Sequence, residues 1–501
     1  TQKHFHETLL PLHECCGVAG TAPLVPYLST YARQLGFPAE TVGLIYTVLP
    51  VCGLIAKPLF GVIADRFKIQ KLLFILFQVV TIVSFGAIYF IPPAAAPAAA
   101  PAVALGCEAG AVALRVCPHR PLLDSPHLQT PNCTVRFVCS ISIARDVLRI
   151  CQSIYKFRNA SPREESAGAG SPYTRQFGLF FALMIASWVG QAVVVTFADA
   201  ICFGVLGDRA PLYGRQRLWG SLGWGVVSLL TGALVDALSD GAVKDYTVAF
   251  ALMAVFLAGD VAVSCVLRPP PPAPVGTGLA DVAALVLSAP HALFAAWCTA
   301  AGLCTGLLWN FLFWHLEDVA ADPAYVKTQQ GLVSAVQTFG GEIPAMFVSG
   351  WVVRRAGHAA AMSVVLLAFG GRFLLYSALR DAWWTLPVEL LQGPTMGLLY
   401  PAMAGYAARA APPGAATTVQ GLAGAVFEGV GVSLGSLAGG QLYAAWGGAA
   451  TFRWFGVGAL ACGVLHAGAA RLLPAPSPPP PHKHADTDTA DTAPALPTDH
   501  F

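Results

Sequence analysis

Apolar runs bounded by charged residues or Pro/Gly breaks recur twelve times along the 501-residue chain, at about 8–32, 39–64, 70–91, 176–204, 217–238, 246–267, 290–316, 330–352, 358–379, 384–409, 415–444 and 450–472. A helix of ~20 residues crosses a bilayer, so the pattern predicts an all-α chain of twelve transmembrane helices. Three stretches interrupt the rhythm. Residues 92–174 are a polar insert that starts Ala/Pro-rich, 268–289 open with Arg268 and a proline run, and 474–501 are a Pro/Asp/Thr tail expected to be disordered. The expected organisation is helices 1–3 in 1–91, the insert, helices 4–6 in 175–267, a connecting loop, helices 7–12 in 290–473, and the tail.

Composition agrees. Hydrophobic residues make up 55% of the chain and charged ones 11%, against roughly 25% charged in a soluble domain, so the excess apolar surface must face lipid. Twenty-nine basic residues nearly cancel 27 acidic ones, for a formal charge of +2, which leaves no field for nucleic acid. The 13 cysteines include no Cys-x-x-Cys pair and read mostly as small apolar fillers. The first apolar run continues past position 30, too long for a cleavable signal, so the first span is expected to direct insertion. No nucleophile motif, metal-ligand cluster or phosphate loop is evident, so no enzyme activity, cofactor or metal is expected.

Short connections on one side hold Arg66, Lys68, Lys71, Arg209, Arg215, Arg268, Arg354, Arg355 and Arg409; the other side holds little beyond Arg33, Lys244, Lys327 and Arg380. The positive-inside rule makes the richer side cytosolic, with both termini inside and the insert outside, in a plasma membrane or endomembrane. Two sequons in the insert, at Asn132 and Asn159, agree with glycosylation there. Cys107, Cys117, Cys133, Cys139 and Cys151 lie in the same insert, and an oxidising lumen would pair four of them.

Gly61-Val-Ile-Ala-Asp65-Arg66 after the second span has a counterpart in Gly350-Trp-Val-Val-Arg354-Arg355 after the eighth. A duplicated six-plus-six architecture accounts for both, and paired repeats about a midplane site are a habit of secondary transporters. Ionisable residues within the predicted spans are Glu14, Asp199, Asp260, Glu342, Arg372, Glu389 and Glu428, with Arg217 opening the fifth. Such charges are costly in lipid and are functional candidates by default. Carboxylates outnumber bases in this set, so some are expected to carry a proton, as proton coupling requires. For Glu14 and Asp260, snorkelling to an interface is the alternative.

Gly61-x-x-x-Asp65-Arg66 resembles the loop signature of the major facilitator superfamily, with Lys68 where that pattern has Gly; a charge lock between helices and a solvated loop are the two readings. Within that superfamily the chain resembles the lactose-permease-like branch, closest to the domain-containing protein six group, everywhere except 92–174 and the tail. Gly214-Arg215-Gln216-Arg217-Leu218-Trp219-Gly220-Ser221-Leu222-Gly223-Trp224 is similar to the start of the permease's fifth span. The resemblance implies that Arg217 pairs with Asp199, 18 residues earlier, to hold sugar hydroxyls, with Ser221 nearby and Trp224 stacking on the ring. A carboxylate and a guanidinium present several acceptors and donors to vicinal hydroxyls, and an indole offers an apolar face; an interfacial anchor is the other reading of Trp224.

In the second half, Gly341-Glu342 resembles the permease segment linking sugar and proton sites, and Arg372 the residue facing its proton carrier. Glu389 and Gln392 fall where the permease has His and Glu, so either Glu389 takes the proton or coupling is altered or absent. Glu428 stands where the permease has Lys, and the matching carboxylate is replaced by an apolar position near Leu307, so Glu428 needs a proton or another partner. The seventh span carries Trp309-Asn-Phe-Leu-Phe-Trp314-His315-Leu-Glu317-Asp318, read as an outer aromatic belt or a substrate path, with a local His315 to Asp318 pair.

The leading expectation is a monomeric transporter moving a small polar, sugar-like solute by alternating access, with protons as a second cargo. The alternative is a cell-surface receptor or adhesion protein whose 92–174 segment binds an extracellular protein partner.

Overall fold

The computed structural model describes residues 13, 16–93, 102–108, 111–117, 172–206, 213–239, 243–266, 289–410 and 416–472. Glu14, Arg209, Arg268, Asn132, Asn159, Cys133, Cys139, Cys151, the 268–288 part of the connecting loop and the tail lie outside them, as do the side chains of Asp65 and Arg215.

All twelve predicted spans are helical where described. The second to seventh are Ala39–Phe67, Gln70–Ile88, Pro172–Leu206, Tyr213–Ala237, Thr247–Val266 and Ala289–Val319, and the ninth is His358–Ser377. The first is broken, with helix at 16–21, a 3-10 turn at Val25–Tyr27 and helix at Leu28–Gln34. The eleventh and twelfth share the run Ser433–Leu472, which reverses at Gly447, where φ is 77° and only glycine is unstrained.

Three spans carry a wider helical turn at a charged or polar residue. The eighth passes from Val326–Val336 through a π segment, Gln337–Glu342, to Ile343–Ala356. The tenth runs Thr385–Val388, a 3-10 turn Glu389–Gln392, a π segment Gly393–Gly397 and Leu398–Ala410. The eleventh leaves Ala416–Gly424 for a π segment, Ala425–Val432, that holds Glu428. Such π turns re-aim side chains and concentrate at functional sites.

Large apolar residues such as Ile55, Val62, Leu72, Val83, Val255, Phe347 and Leu465 are exposed, while Gln78, Asp260, Lys327, Arg372 and Glu389 are buried. This reversal of a soluble protein's pattern puts hydrocarbon outside and polar groups between helices.

Residues 91–180 form a compact unit of their own, apart from 1–90 with 181–501. Within it, Ala102–Glu108 pairs antiparallel with Ala111–Cys117, Cys107 opposite Val112 and Ala102 opposite Cys117. This hairpin is an addition to the all-helical expectation.

The second span packs on the eleventh and the fifth on the eighth, most tightly at one end of the bundle. A Cβ on Gly43 would stand 2.6 Å from the Ser436 carbonyl, and one on Gly232 would stand 2.2 Å from that of Lys327. The same end is closed by ion pairs: Arg33 with Glu317 (3.3 Å) and Asp318 (2.6 Å), Lys327 with Glu317 (2.5 Å), and Lys244 with Asp236 (2.7 Å). Toward the other end the second and eleventh spans still meet through Lys57 and Glu428, 3.3 Å apart, and beyond that point some of their glycines have open space beside them. Gly61 on the second span and Gly421 and Gly424 on the eleventh have no atom within 4 Å of an added Cβ.

Candidate functional site

A cavity of about 160 Å³ lies among spans one, three, four, five and six, lined by His13, Gln78, Asp199, Arg217, Trp224 and Asp260 with smaller neighbours. This is below the roughly 300–1,000 Å³ of pockets for drug-sized ligands and suits a small solute. The fourth and fifth spans bring Asp199 and Arg217 together, Nη1 to Oδ1 at 3.2 Å, with the arginine side chain 47% exposed. Trp224, two turns after Arg217, packs beside Ala19, Ala22 and Phe256 and shares the cavity wall. The pair is therefore held open to solvent, with polar edges and an indole on one surface. Ser221, one turn beyond Arg217, donates to Glu342 Oε1 at 3.4 Å and so bridges the fifth span to the eighth.

Across the bundle, Arg372 and Glu389 are fully buried and paired. Arg372 Nε donates to Tyr376 Oη at 2.7 Å, and Nη1 donates to Gln392 Oε1 at 2.6 Å and to Thr395 Oγ1 at 3.0 Å. Glu389 also accepts from Tyr376 Oη at 2.6 Å and Gln337 Nε2 at 2.8 Å. Gln392 thus serves as a neutral acceptor for the guanidinium, and Glu389 is saturated with donors. Gly341 lets the eighth span close on the tenth, because a Cβ there would stand 2.5 Å from that of Gln392.

Most of the predicted intramembrane carboxylates meet a basic side chain, although among the described residues they still outnumber the lysines and arginines they meet. Glu428 meets Lys57 of the second span at 3.3 Å, and Asp260 meets His13 at 2.6 Å and faces the cavity rather than an interface. Among the described residues, Glu342 alone of the predicted intramembrane carboxylates has no basic group within 4 Å. Lys57 is absent from the intramembrane charges predicted from sequence, and Lys244 and Lys327 read there as loop residues, though both of these are buried. A signal was present: a base in the first turn of a span, opposite a carboxylate ending its neighbour, as Lys327 faces Glu317.

The outer-belt reading of the seventh span is corrected. Phe311, Phe313 and Trp314 are buried and only Trp309 is 45% exposed. Trp314 Nε1 donates to the Ser29 carbonyl at 2.8 Å and its ring lies under Arg33. His315 Nε2 contacts the Tyr376 carbonyl at 2.9 Å, not Asp318, which binds Arg33 and Tyr443.

The signature Gly61 lies within the second span with open space around it, and Arg66 is exposed at its end. Lys68 takes the left-handed conformation a Gly would take there, φ 53°, capping the helix through Ala64, at a cost of about 1–2 kcal/mol. Arg354 and Arg355 close the eighth span, where positive charge suits the helix dipole, and Arg355 lies over Trp351. Among the described residues neither arginine meets a carboxylate in this conformation.

A sequence profile of the MFS_1 like family matches residues 18–454. The chain belongs to the MFS_1 like family. Over 283 residues it is 28% identical to a maltose permease of Geobacillus stearothermophilus, covering 56% of this chain and 69% of the relative. Over 451 residues it is 24% identical to a major facilitator superfamily domain-containing protein 6-like of Danio rerio, covering 85% and 80%. In fold it resembles the nucleoside transporter NupG, with a TM-score of 0.66 at 13% identity over 94% of this chain and 99% of that one. It also resembles a bacterial homolog of the human lysosomal transporter Spinster, in an inward-facing and unoccupied conformation, with a TM-score of 0.55 at 14% identity over 94% and 97%. This MFS_1 like protein is a multi-pass membrane protein of a transporter family with the major facilitator fold.

Proposed function

We propose that this MFS_1 like chain is a proton-coupled secondary transporter of a small polyhydroxylated solute, bound in the cavity by Asp199, Arg217 and Trp224, with Ser221 beside that site. The observation that carries the reading is the Asp199 to Arg217 pair on one cavity wall with Trp224, the combination of acceptors, donors and apolar face that a sugar ring needs. The maltose permease relative, by its name, handles a sugar, which favours the same class.

Glu342 is the group to which we assign the proton. No basic group lies within 4 Å of it, and protonation relieves the cost of a carboxylate held away from water without a contact ion pair. Its bond to Ser221 ties its charge to the span that carries Arg217. Arg372, Glu389 and Gln392 hold the tenth span in place, and Glu428 pairs with Lys57 across the halves. With the Arg66 and Arg354 end assigned to the cytosol, the conformation is open inward, and Gly61, Asp65, Arg66, Arg354 and Arg355 engage when that end closes. The insert, with Asn132 and Asn159, then lies outside.

The test is uptake of labelled maltose and glucose into liposomes holding the full chain, with an imposed proton gradient. Glu342→Gln should abolish accumulation and leave exchange intact. Uptake indifferent to both gradient and variant would sink the coupling, and no uptake of either sugar would sink the solute class.

A further inference from the structure

The two crossings between the halves finish alike toward the end that carries Arg66 and Arg354. Where the second span meets the eleventh, a Cβ on Gly429 would stand 2.8 Å from Leu54, and just beyond it Lys57 meets Glu428 at 3.3 Å. Where the fifth meets the eighth, a Cβ on Gly225 would stand 2.8 Å from Phe339, and just beyond it Ser221 donates to Glu342 at 3.4 Å. Both carboxylates come from the second half and reach a span of the first. Both also lie in π segments, Glu342 closing Gln337–Glu342 and Glu428 within Ala425–Val432, and such segments concentrate at functional sites.

Tyr400 of the tenth span belongs to the same region. The charges of Glu428, Glu342 and Arg217 all act on its hydroxyl, and its ring meets Phe427, the residue before Glu428, edge to face at 5.9 Å. It is nonetheless 42% exposed. With groups of the fifth, eighth and eleventh spans around it, the exposed part looks into the space those spans enclose, because charges placed in lipid would be far costlier. Arg217 faces that space and the cavity alike, and its side chain is half-exposed. Two accessible atoms there are not taken up by the chain. Among the described residues the Tyr400 hydroxyl has no hydrogen-bond partner, and Lys57 takes only Oε2 of Glu428, whose side chain is 45% exposed. A phenol donates and accepts, and each carboxylate oxygen accepts. Gly424, one turn before Glu428, has open space beside it, so the approach is clear.

We propose that Tyr400 and Glu428 form the second-half wall of the solute site, the tyrosine hydroxyl and Glu428 Oε1 binding hydroxyls of the polyol that Asp199 and Arg217 hold from the first half. Lys57 is a positioning residue that fixes Glu428 by its other oxygen. The proposal rests on the Asp199 to Arg217 pair being a solute site. It makes the bound solute a bridge between the halves, with an ion pair and an indole on one side and a phenol and a carboxylate on the other.

The experiment uses the full chain in lipid nanodiscs, with affinities for maltose and glucose taken from concentration-dependent shifts in unfolding temperature. Tyr400→Phe removes one hydroxyl and should weaken binding about three- to tenfold. The unfolding temperature without sugar should stay where it was, because that hydroxyl holds nothing in the free protein. Glu428→Gln keeps the shape but loses the charge that strengthens a hydrogen bond, and should weaken binding about tenfold; it answers the same question if Tyr400→Phe fails to fold. A Tyr400→Phe variant that lowers the sugar-free unfolding temperature and spares affinity makes the residue a packing element and overturns the proposal. Binding lost in Arg217→Lys but unchanged in Tyr400→Phe and Glu428→Gln overturns it too, and leaves the first-half site standing. Failure of both sugars to bind the unmodified protein overturns the solute-site reading, and this inference with it.

Discussion

Arg372 satisfies Nε and both terminal nitrogens with acceptors from the ninth and tenth spans: Tyr376, Gln392, Thr395 and Glu389. A reading by charge finds the two ions because ions are rare in apolar runs. It passes over Tyr376, Gln337 and Thr395, which complete the network and carry no charge to mark them. The same asymmetry gives the residue-scale prediction. Removing one partner of a fully buried pair leaves the other uncompensated, at about 3–5 kcal/mol, whereas replacing both with apolar groups of similar size is far milder. Arg372→Met should therefore lower the unfolding temperature of the detergent-solubilised chain sharply, and Arg372→Met with Glu389→Leu should recover most of the loss. A double variant as unstable as the two single losses added together would show that the network is not coupled in this way.

At the scale of elements, the positions and number of the spans were legible because twenty-residue hydrophobicity has few alternative meanings in a chain so poor in charge. What the apolar runs do not reveal is where a helix widens. The π turns at Gln337–Glu342, Gly393–Gly397 and Ala425–Val432 keep the chain helical and apolar, so no break appears in the pattern. Helix pairing was likewise overlooked, although the residues are in view. Gly302 and Gly306 of the seventh span face Gly431 and Gly435 of the eleventh, four residues apart in each. A Cβ at Gly302 would stand 2.3 Å from the Phe427 carbonyl, and one at Gly435 would stand 2.2 Å from that of Leu303. Small residues at this spacing let backbones approach where lipid gives no hydrophobic drive. Gly435→Leu should destabilise the chain by about 1–3 kcal/mol, as overpacking does. Gly468→Ala, with open space around it, should be neutral or mildly stabilising, since Ala is the better helix former. Equal thermal shifts for the two would refute the contact reading.

In the whole molecule, the two pairs of spans that join the halves, second with eleventh and fifth with eighth, meet most closely at one end. Two kinds of contact hold the closed end, and they differ in strength. Arg33 with Glu317 and Asp318 is a partly exposed set, with the arginine side chain 37% exposed, and such pairs contribute about 1 kcal/mol or less. Gly232 against the Lys327 carbonyl at 2.2 Å, and Gly331 against that of Ser228 at 2.9 Å, are steric permissions that no larger side chain has. A transporter that alternates must hold its two states within a few kcal/mol, so either contact should bias the balance, the glycine more strongly. Gly232→Leu should raise hydrogen exchange in Leu28–Gln34 and Val326–Val336 while lowering it in Ile343–Ala356, as one end opens and the other closes. Arg33→Met should produce the same pattern at smaller amplitude. Opposite changes at the two ends are the mark of a shifted equilibrium. Exchange that rises at both ends would mean general loosening, and the closed end would then be stabilising packing with no part in alternation.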